Sequence, residues 1–232
     1  AAAGRVGTEH ELIGVRAHGA AAGTAPAYDG VDGIGAVLAG FTARGWTPVE
    51  EGGHVIALTR GDDQITIEPG GQLELAARPL ADDHDLVTSL AEHRAALAEI
   101  SRPLGLAWLS IGFRPFGTRA DVPWMPKLRY DVMRAYMPTV GSRGLEMMQR
   151  TTTVQANFDW ADEADAAAKL RCLLSVTSIL TALYASSPIV DGQISGFQSY
   201  RAHVWRDTDN ARAGLLRFAF ERDDVYRAYA EW

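Results

Sequence analysis

Along this chain the spacing of apolar positions switches repeatedly between a period of two and a period near 3.6, which predicts a mixed α and β fold. Arg5 to Val15 alternates as a strand, and His18 to Pro26, rich in Gly and Ala, reads as a loop. Ile34, Val37, Leu38 and Phe41 have the i, i+3, i+4, i+7 spacing of an amphipathic helix, with Gly45 placed to end it. Val55 to Thr59 and Gln64 to Glu68 predict a hairpin around Arg60-Gly61-Asp62-Asp63, and Pro69-Gly70-Gly71 then turns the chain into a strand from Gln72 to Ala76. Leu86, Leu90, Leu97, Ile100 and Leu104 mark a long helix, begun at Asp82 or Asp83 and left at Gly105. Leu106 to Phe113 reads as a strand, Lys127 to Met137 as a helix closed by Pro138, and Arg150 to Trp160 as a strand. Asp162 caps a helix to about Ala185, with Leu170, Leu173, Leu174, Thr177, Leu180 and Tyr184 on its apolar side. Beyond Ser186 the pattern is irregular, with extended stretches around His203 to Trp205 and Leu215 to Phe220.

Three of these strands gather carboxylates and amides. In VGTEHELIG, Glu9 and Glu11 share a face and His10 points the other way. In ITIEPGGQLEL, Thr66 and Glu68 share a face, and Gln72 projects with Glu74. In RTTTVQANFD, Thr151, Thr153, Gln155, Asn157 and Asp159 form one polar stripe against Val154, Ala156 and Phe158. A single Glu-x-Glu is ordinarily a solvated strand edge. Repeated at Glu68 and Glu74, the arrangement repels itself unless a cation compensates it. Hard oxygen donors suit Mg²⁺, which commonly keeps substrate phosphates among its ligands. Pro69-Gly70-Gly71 reads both as a tight turn and as a place where backbone approaches a ligand closely. No Gly-Lys-Ser or Gly-Lys-Thr follows it, so it is not a P-loop.

Arg129, Tyr130 and Arg134 fall on one short helix, where the arginines either face solvent or hold a substrate carboxylate bidentately. Arg201, His203 and Trp205 alternate on the expected strand, so Arg201 and Trp205 either pack there or form a carboxylate site with an aromatic wall. His10 and His93 fall on apolar faces and Cys172 lies mid-helix among leucines, where a buried, inert thiol is expected. The net charge of -7 argues against nucleic acid and anionic membrane as partners. No apolar run approaches the roughly twenty residues of a membrane-spanning helix. One cysteine permits no internal disulfide and fits a reducing, cytoplasmic setting. The chain opens at Ala1-Ala2-Ala3 without Met and stops at Trp232 inside a helical pattern, so a single catalytic domain over 1–232, incomplete at its C-terminus, is expected.

VGTEHELIG, ITIEPGGQLEL, MPKLRYDVMRAYMPTVGSRGLEMMQRTTTVQANFDW, SPIVDGQISGFQSYRAHVWRDTD and ARAG resemble, in order from about Arg5 to Phe220, the plant-type group of glutamate–cysteine ligases. The Ala-rich composition is similar to actinobacterial members that make γ-glutamylcysteine for ergothioneine. The resemblance implies an α+β fold of glutamine synthetase type, a curved antiparallel sheet with helices on its outer face. It also implies ATP and Mg²⁺, with L-glutamate and L-cysteine as substrates. By the same resemblance Glu9, Glu11, Glu68 and Glu74 bind metal, and Gln155 and Asn157 lie near the cations and nucleotide. Arg129, Tyr130 and Arg134 belong to the cysteine side. Thr151, Thr153 and Arg201 position glutamate, Trp205 lies beside them, and Arg201 and Arg134 are the candidate catalytic arginines. A ligase using a different amine, or a non-catalytic remnant that binds ATP or glutamate, are the alternatives.

Overall fold

The computed structural model describes residues 4–232; Ala1 to Ala3, the abrupt opening of the chain, lie outside the described residues. The first strand, β1 (Val6–Arg16), is followed by α1 (Ile34–Thr42), then β2 (Thr47–Glu51), β3 (His54–Arg60), β4 (Asp63–Ile67), β5 (Leu73–Leu80) and α2 (Asp83–Ser101). Next come β6 (Leu106–Leu109), α3 (Leu128–Tyr136), α4 (Gly144–Arg150), β7 (Val154–Phe158) and α5 (Glu163–Leu183). A small ribbon of β8 (Ile189–Val190) and β9 (Gln193–Ile194) precedes three short helices, α6 (Tyr200–Trp205), α7 (Phe218–Glu221) and α8 (Val225–Glu231).

The main sheet runs β2-β3-β4-β5-β1, every pair antiparallel. The second edge of β1 is shared: Val6 to His10 pairs with β7, and Ile13 to Arg16 pairs with β6. The change of partner falls at Glu11 and Leu12, where the Glu11 amide donates to the Thr153 carbonyl at 3.0 Å.

Alternation along the strands gives the sheet two chemically distinct faces. His10, Leu12, Ile65, Ile67, Leu73 and Leu75 point to one side, where α1 and α2 pack through Val37, Leu38, Phe41, Leu97 and Ile100. Burying each such apolar side chain contributes roughly 1.5–3 kcal/mol, and this is the main core. Glu9, Glu11, Thr66 and Glu74 point to the opposite face. As the sequence implies, Asp82 and Asp162 cap α2 and α5, their side chains accepting from the amides of Asp85 (2.9 Å) and Asp165 (3.0 Å).

Four expectations change. Arg150 to Trp160 is not one strand: α4 runs to Arg150, Thr151 to Thr153 are irregular, and only Val154–Phe158 is paired as a strand. The buried Gln72 amide explains the break, donating to the carbonyls of Met148 (3.2 Å) and Thr151 (2.8 Å) while its oxygen accepts from the Gly70 amide at 2.8 Å. This clamp pins the end of α4 to the Pro69-Gly70-Gly71 turn so closely that a Cβ on Gly70 would lie 2.1 Å from the Gln149 carbonyl oxygen. The close approach permitted by glycine is therefore made to this protein's own backbone. His203 to Trp205 is helical, not extended, because Ser199 caps α6 by accepting from the Ala202 amide at 3.3 Å. Phe218 to Glu221, which overlaps the end of the stretch from Leu215 to Phe220 expected to be extended, also forms a helix.

The fourth change is α5. Its leucines and Cys172 were expected to be buried, yet Cys172, Leu173, Leu180 and Tyr184 are exposed and Ala167 is the one buried residue of the helix. With 21 residues and an 18-residue stretch of mean hydropathy 1.4, α5 is also long and apolar enough, by length and composition, to cross a membrane, contrary to the sequence expectation. Its first half carries Glu163, Asp165, Lys169 and Arg171, and Arg171 reaches α7, donating to the Ala219 carbonyl.

Candidate functional site

The face of the sheet turned away from α1 and α2 is where the predicted acidic residues meet. Register places Glu11 opposite Glu74, Glu74 opposite Thr66, and Glu9 opposite Gln155. Glu68 lies one residue beyond β4, at the turn, where its amide donates to the Gln72 carbonyl at 2.9 Å. Burial, then the charges of Glu68 and Glu74, push the Glu11 carboxyl up to about 8. Burial, then Glu68 and Glu9, push Glu74 up to about 7. Glu68 is also raised by burial, against the pull of Arg129 and Lys127. Glu9 is held differently. Its Oε1 accepts from Gln155 Nε2 at 3.0 Å and Asn157 Nδ2 at 3.1 Å, and Gln155 also donates to Asn157 Oδ1 at 2.9 Å.

The start of α3 brings cations to this face. Sequence reasoning overlooked Lys127, although it opens the same helix as Arg129. Burial, then Arg129, lowers its ammonium, while Glu68, Glu51 and Glu74 pull the other way. Arg129 lies over the Tyr130 ring at 5.4 Å, and Arg134, farther along, is stacked on Trp124 at 4.8 Å. Tyr130, expected as a pocket residue, is 1% exposed within the core, and its hydroxyl donates to the Ile67 carbonyl. It braces the turn that carries Glu68 and presents no surface to a substrate.

A cavity of about 1000 Å³ adjoins the acidic face at Glu11. Its polar end is formed by Glu11, Thr152, Thr153, Ser187 and Arg201, and its apolar end by Leu173 and Leu180 of α5 and by Tyr184 just beyond that helix. The Thr153 amide donates to Glu11 Oε2 at 2.8 Å. Burial lowers Arg201 and Glu11 raises it, and the Arg201 Nε is buried without a partner among the described residues. Trp205 lies one helical turn on, with the Arg201 guanidinium 5.6 Å from its ring centroid. Those two residues share a face as expected, but through a spacing of four on a helix. Thr151 does not join them: it is buried, with its hydroxyl donating to the Met147 carbonyl at 2.7 Å. Thr152, which the alternation placed away from the polar stripe, lines the cavity in its stead. His10 and His93 are buried on the helix side of the sheet, off this face.

Among the described residues no three His, Cys, Asp or Glu side chains converge into a finished metal centre. The donor set nevertheless fits hard divalent cations: four carboxylates gather on this side of the sheet, and burial, then the charges of neighbouring carboxylates, lets two of them hold protons into the neutral range. Lys127 beside them fits the phosphates of a nucleotide.

Residues 5–232 match the family model described as Glutamate-cysteine ligase family 2 (GCS2). The chain is 41% identical over 229 residues to the chloroplastic glutamate–cysteine ligase of Arabidopsis thaliana, covering 98% of this chain and 43% of that protein. It is 41% identical to the chloroplastic enzyme of Medicago truncatula, covering 98% and 44%, and 39% identical to glutamate–cysteine ligase A of Oryza sativa subsp. japonica, covering 98% and 45%. The chain thus spans less than half the length of these relatives. The large antiparallel sheet with helices agrees with the glutamine synthetase-like fold that this family implies. Matched along nearly its whole length, the chain belongs to glutamate–cysteine ligase family 2.

Proposed function

We propose that the protein is an ATP-dependent ligase that joins the γ-carboxylate of L-glutamate to the amine of L-cysteine. The observation that carries this reading is the meeting of the four-carboxylate face and the Arg201 cavity at one residue, Glu11. A carboxylate is a poor acylating agent, so the γ-carboxylate first takes the γ-phosphoryl group of ATP. The amine of cysteine then displaces phosphate, giving γ-glutamylcysteine. Mg²⁺ on Glu9, Glu11, Glu68 and Glu74 would supply charge neutralisation for the triphosphate.

The residues divide the remaining work. Arg201 binds a glutamate carboxylate, and Trp205 covers its guanidinium. Thr153 holds Glu11 through its amide and contributes its hydroxyl to the same cavity. Gln155 and Asn157 orient Glu9 toward the nucleotide. Lys127, beside Glu68 and Glu74, meets the phosphates, while Arg129 and Arg134 serve the cysteine side. The apolar end of the cavity excludes water from an acyl phosphate that water would destroy. No side chain need become covalently attached to substrate. The product serves ergothioneine or another low-molecular-weight thiol, a reading supported by the resemblance of the Ala-rich composition to actinobacterial members of the family.

Hydroxylamine in place of cysteine tests the activation step. Glutamate and Mg·ATP should then yield γ-glutamyl hydroxamate together with ADP. ATP turnover that is independent of glutamate, or ADP formed without hydroxamate, would remove the acyl-phosphate reading.

A further inference from the structure

On the helix side of the sheet, away from the carboxylates, lies a second cavity of about 140 Å³ between β3, β4, β5, α2 and the end of α1. His93 lines it, 6% exposed and stacked on Phe41 with ring centroids 5.6 Å apart. Neither ring nitrogen of His93 has a hydrogen-bond partner among the described residues. Three arginines from separate elements, Arg44, Arg60 and Arg78, surround the same space. Two are committed: Arg44 pairs with Glu99 at 3.0 Å and Arg78 with Asp63 at 3.1 Å. Arg60 lies over the Trp46 ring at 4.5 Å and forms no ion pair among the described residues. Glu92 completes the lining and is likewise unpaired among the described residues.

We propose that this cavity is an orthophosphate site, with Arg60 and His93 as donors to its oxygens. The volume is that of between four and five water molecules at about 30 Å³ each, which suits a tetrahedral oxyanion of five heavy atoms. Burial holds the His93 imidazole down to about 4, so it offers one N–H donor and one acceptor nitrogen at neutral pH. Phosphate at that pH carries both acceptor oxygens and a P–OH. The P–OH can donate to Glu92, which sulfate cannot do. The acidic residue in the lining therefore selects a protonated oxyanion and rejects one that only accepts. The site lies on the opposite face from Glu11 and does not rest on the ligase reading.

Thermal melts in chloride, sulfate, phosphate and glycerol 3-phosphate at matched ionic strength test this, alongside NMR of the imidazole nitrogens during phosphate titration. Phosphate should raise the midpoint beyond sulfate and move the His93 resonances saturably. Arg60→Gln should weaken binding about tenfold, the worth of a charge-assisted hydrogen bond, and His93→Phe should abolish it. Arg201→Gln should leave it intact, which separates this cavity from the larger one. A stronger response to glycerol 3-phosphate, whose dianion has no P–OH to donate to Glu92, than to inorganic phosphate would overturn the orthophosphate assignment. Equal responses to phosphate and sulfate, or a phosphate affinity unchanged in Arg60→Gln, would overturn the assignment. Arg60 is an exposed residue at the mouth, so this variant decides the matter even where His93→Phe does not fold.

Discussion

Glu11 and Glu74 face one another across the β1–β5 pair, on the side of the sheet opposite Leu73 and Leu75. Two part-buried carboxylates in that relationship keep protons that they would release in water, Glu11 up to about 8 and Glu74 up to about 7, against 4.5 when unperturbed. The metal-free folded protein therefore binds more protons than the unfolded chain across that window, and its stability falls as pH rises through it. His93 acts in the other direction but only below 6.5, where the unfolded imidazole gains a proton and the folded one, held down to about 4, does not. Above 6.5 that opposition from His93 fades and the raised carboxylates make stability fall with pH. The urea midpoint without metal should fall between pH 6.5 and 8, and Glu11→Gln or added divalent cation should flatten that fall. An undiminished slope in Glu11→Gln would show that Glu11 is not its source.

Asn157 and Gln155 both donate to a single oxygen of Glu9, which leaves Oε2 without a hydrogen bond among the described residues. Partners that orient a ligating carboxylate typically cost about tenfold or more in metal affinity when removed. Asn157→Ala should thus weaken Mn²⁺ binding, followed by electron paramagnetic resonance, while circular dichroism stays unchanged. Unaltered Mn²⁺ affinity in the folded variant would reduce the amide pair to a surface decoration of β7.

Arg201 is a part-buried guanidinium with an unpartnered Nε, next to Glu11 and over Trp205. A carboxylate ligand would satisfy it bidentately. Arg201→Ala should reduce glutamate affinity roughly ten- to a hundredfold, and Arg201→Lys should recover little, since an ammonium lacks the planar fork. Calorimetric titration with glutamate and, separately, with Mg·ATP distinguishes the roles. Loss of nucleotide binding with glutamate binding retained would reverse the assignment.

Part of the acidic face was legible because a strand has a period of two: the spacing of Glu9 and Glu11 puts that pair on one face whichever strands are neighbours, whereas Glu68 and Glu74, on either side of the Pro69-Gly70-Gly71 turn, were joined to them only by the family resemblance. Which strands are neighbours was not legible. That β1 exchanges β7 for β6 at Glu11 depends on long-range pairing, and this exchange brings the cavity to the carboxylates. Thr151 was misplaced for a related reason. The stripe of alternate polar residues ignores the Gln72 amide, which claims the Thr151 carbonyl from 79 positions away. Arg201 and Trp205 were paired correctly on the wrong element, since a separation of four is shared by one strand face and one helix face. The Ser199 cap was the local signal that decides between them.

Cys172 illustrates the limit of composition as a guide to burial. Its leucine neighbours suggested a core position, but α5 leaves both Cys172 and Leu173 exposed. An accessible thiol should react stoichiometrically with a colorimetric disulfide reagent in the native protein, at a rate close to that in denaturant. Because little packing is lost at an exposed position, Cys172→Ser should change stability by no more than about 0.5 kcal/mol. No His or carboxylate forms a hydrogen bond with this thiol among the described residues, so the same variant should retain Mg·ATP and glutamate binding. Slow labelling that speeds up only on unfolding would mean that α5 is covered in solution, and a large loss of stability in Cys172→Ser would place the thiol in a packed interface.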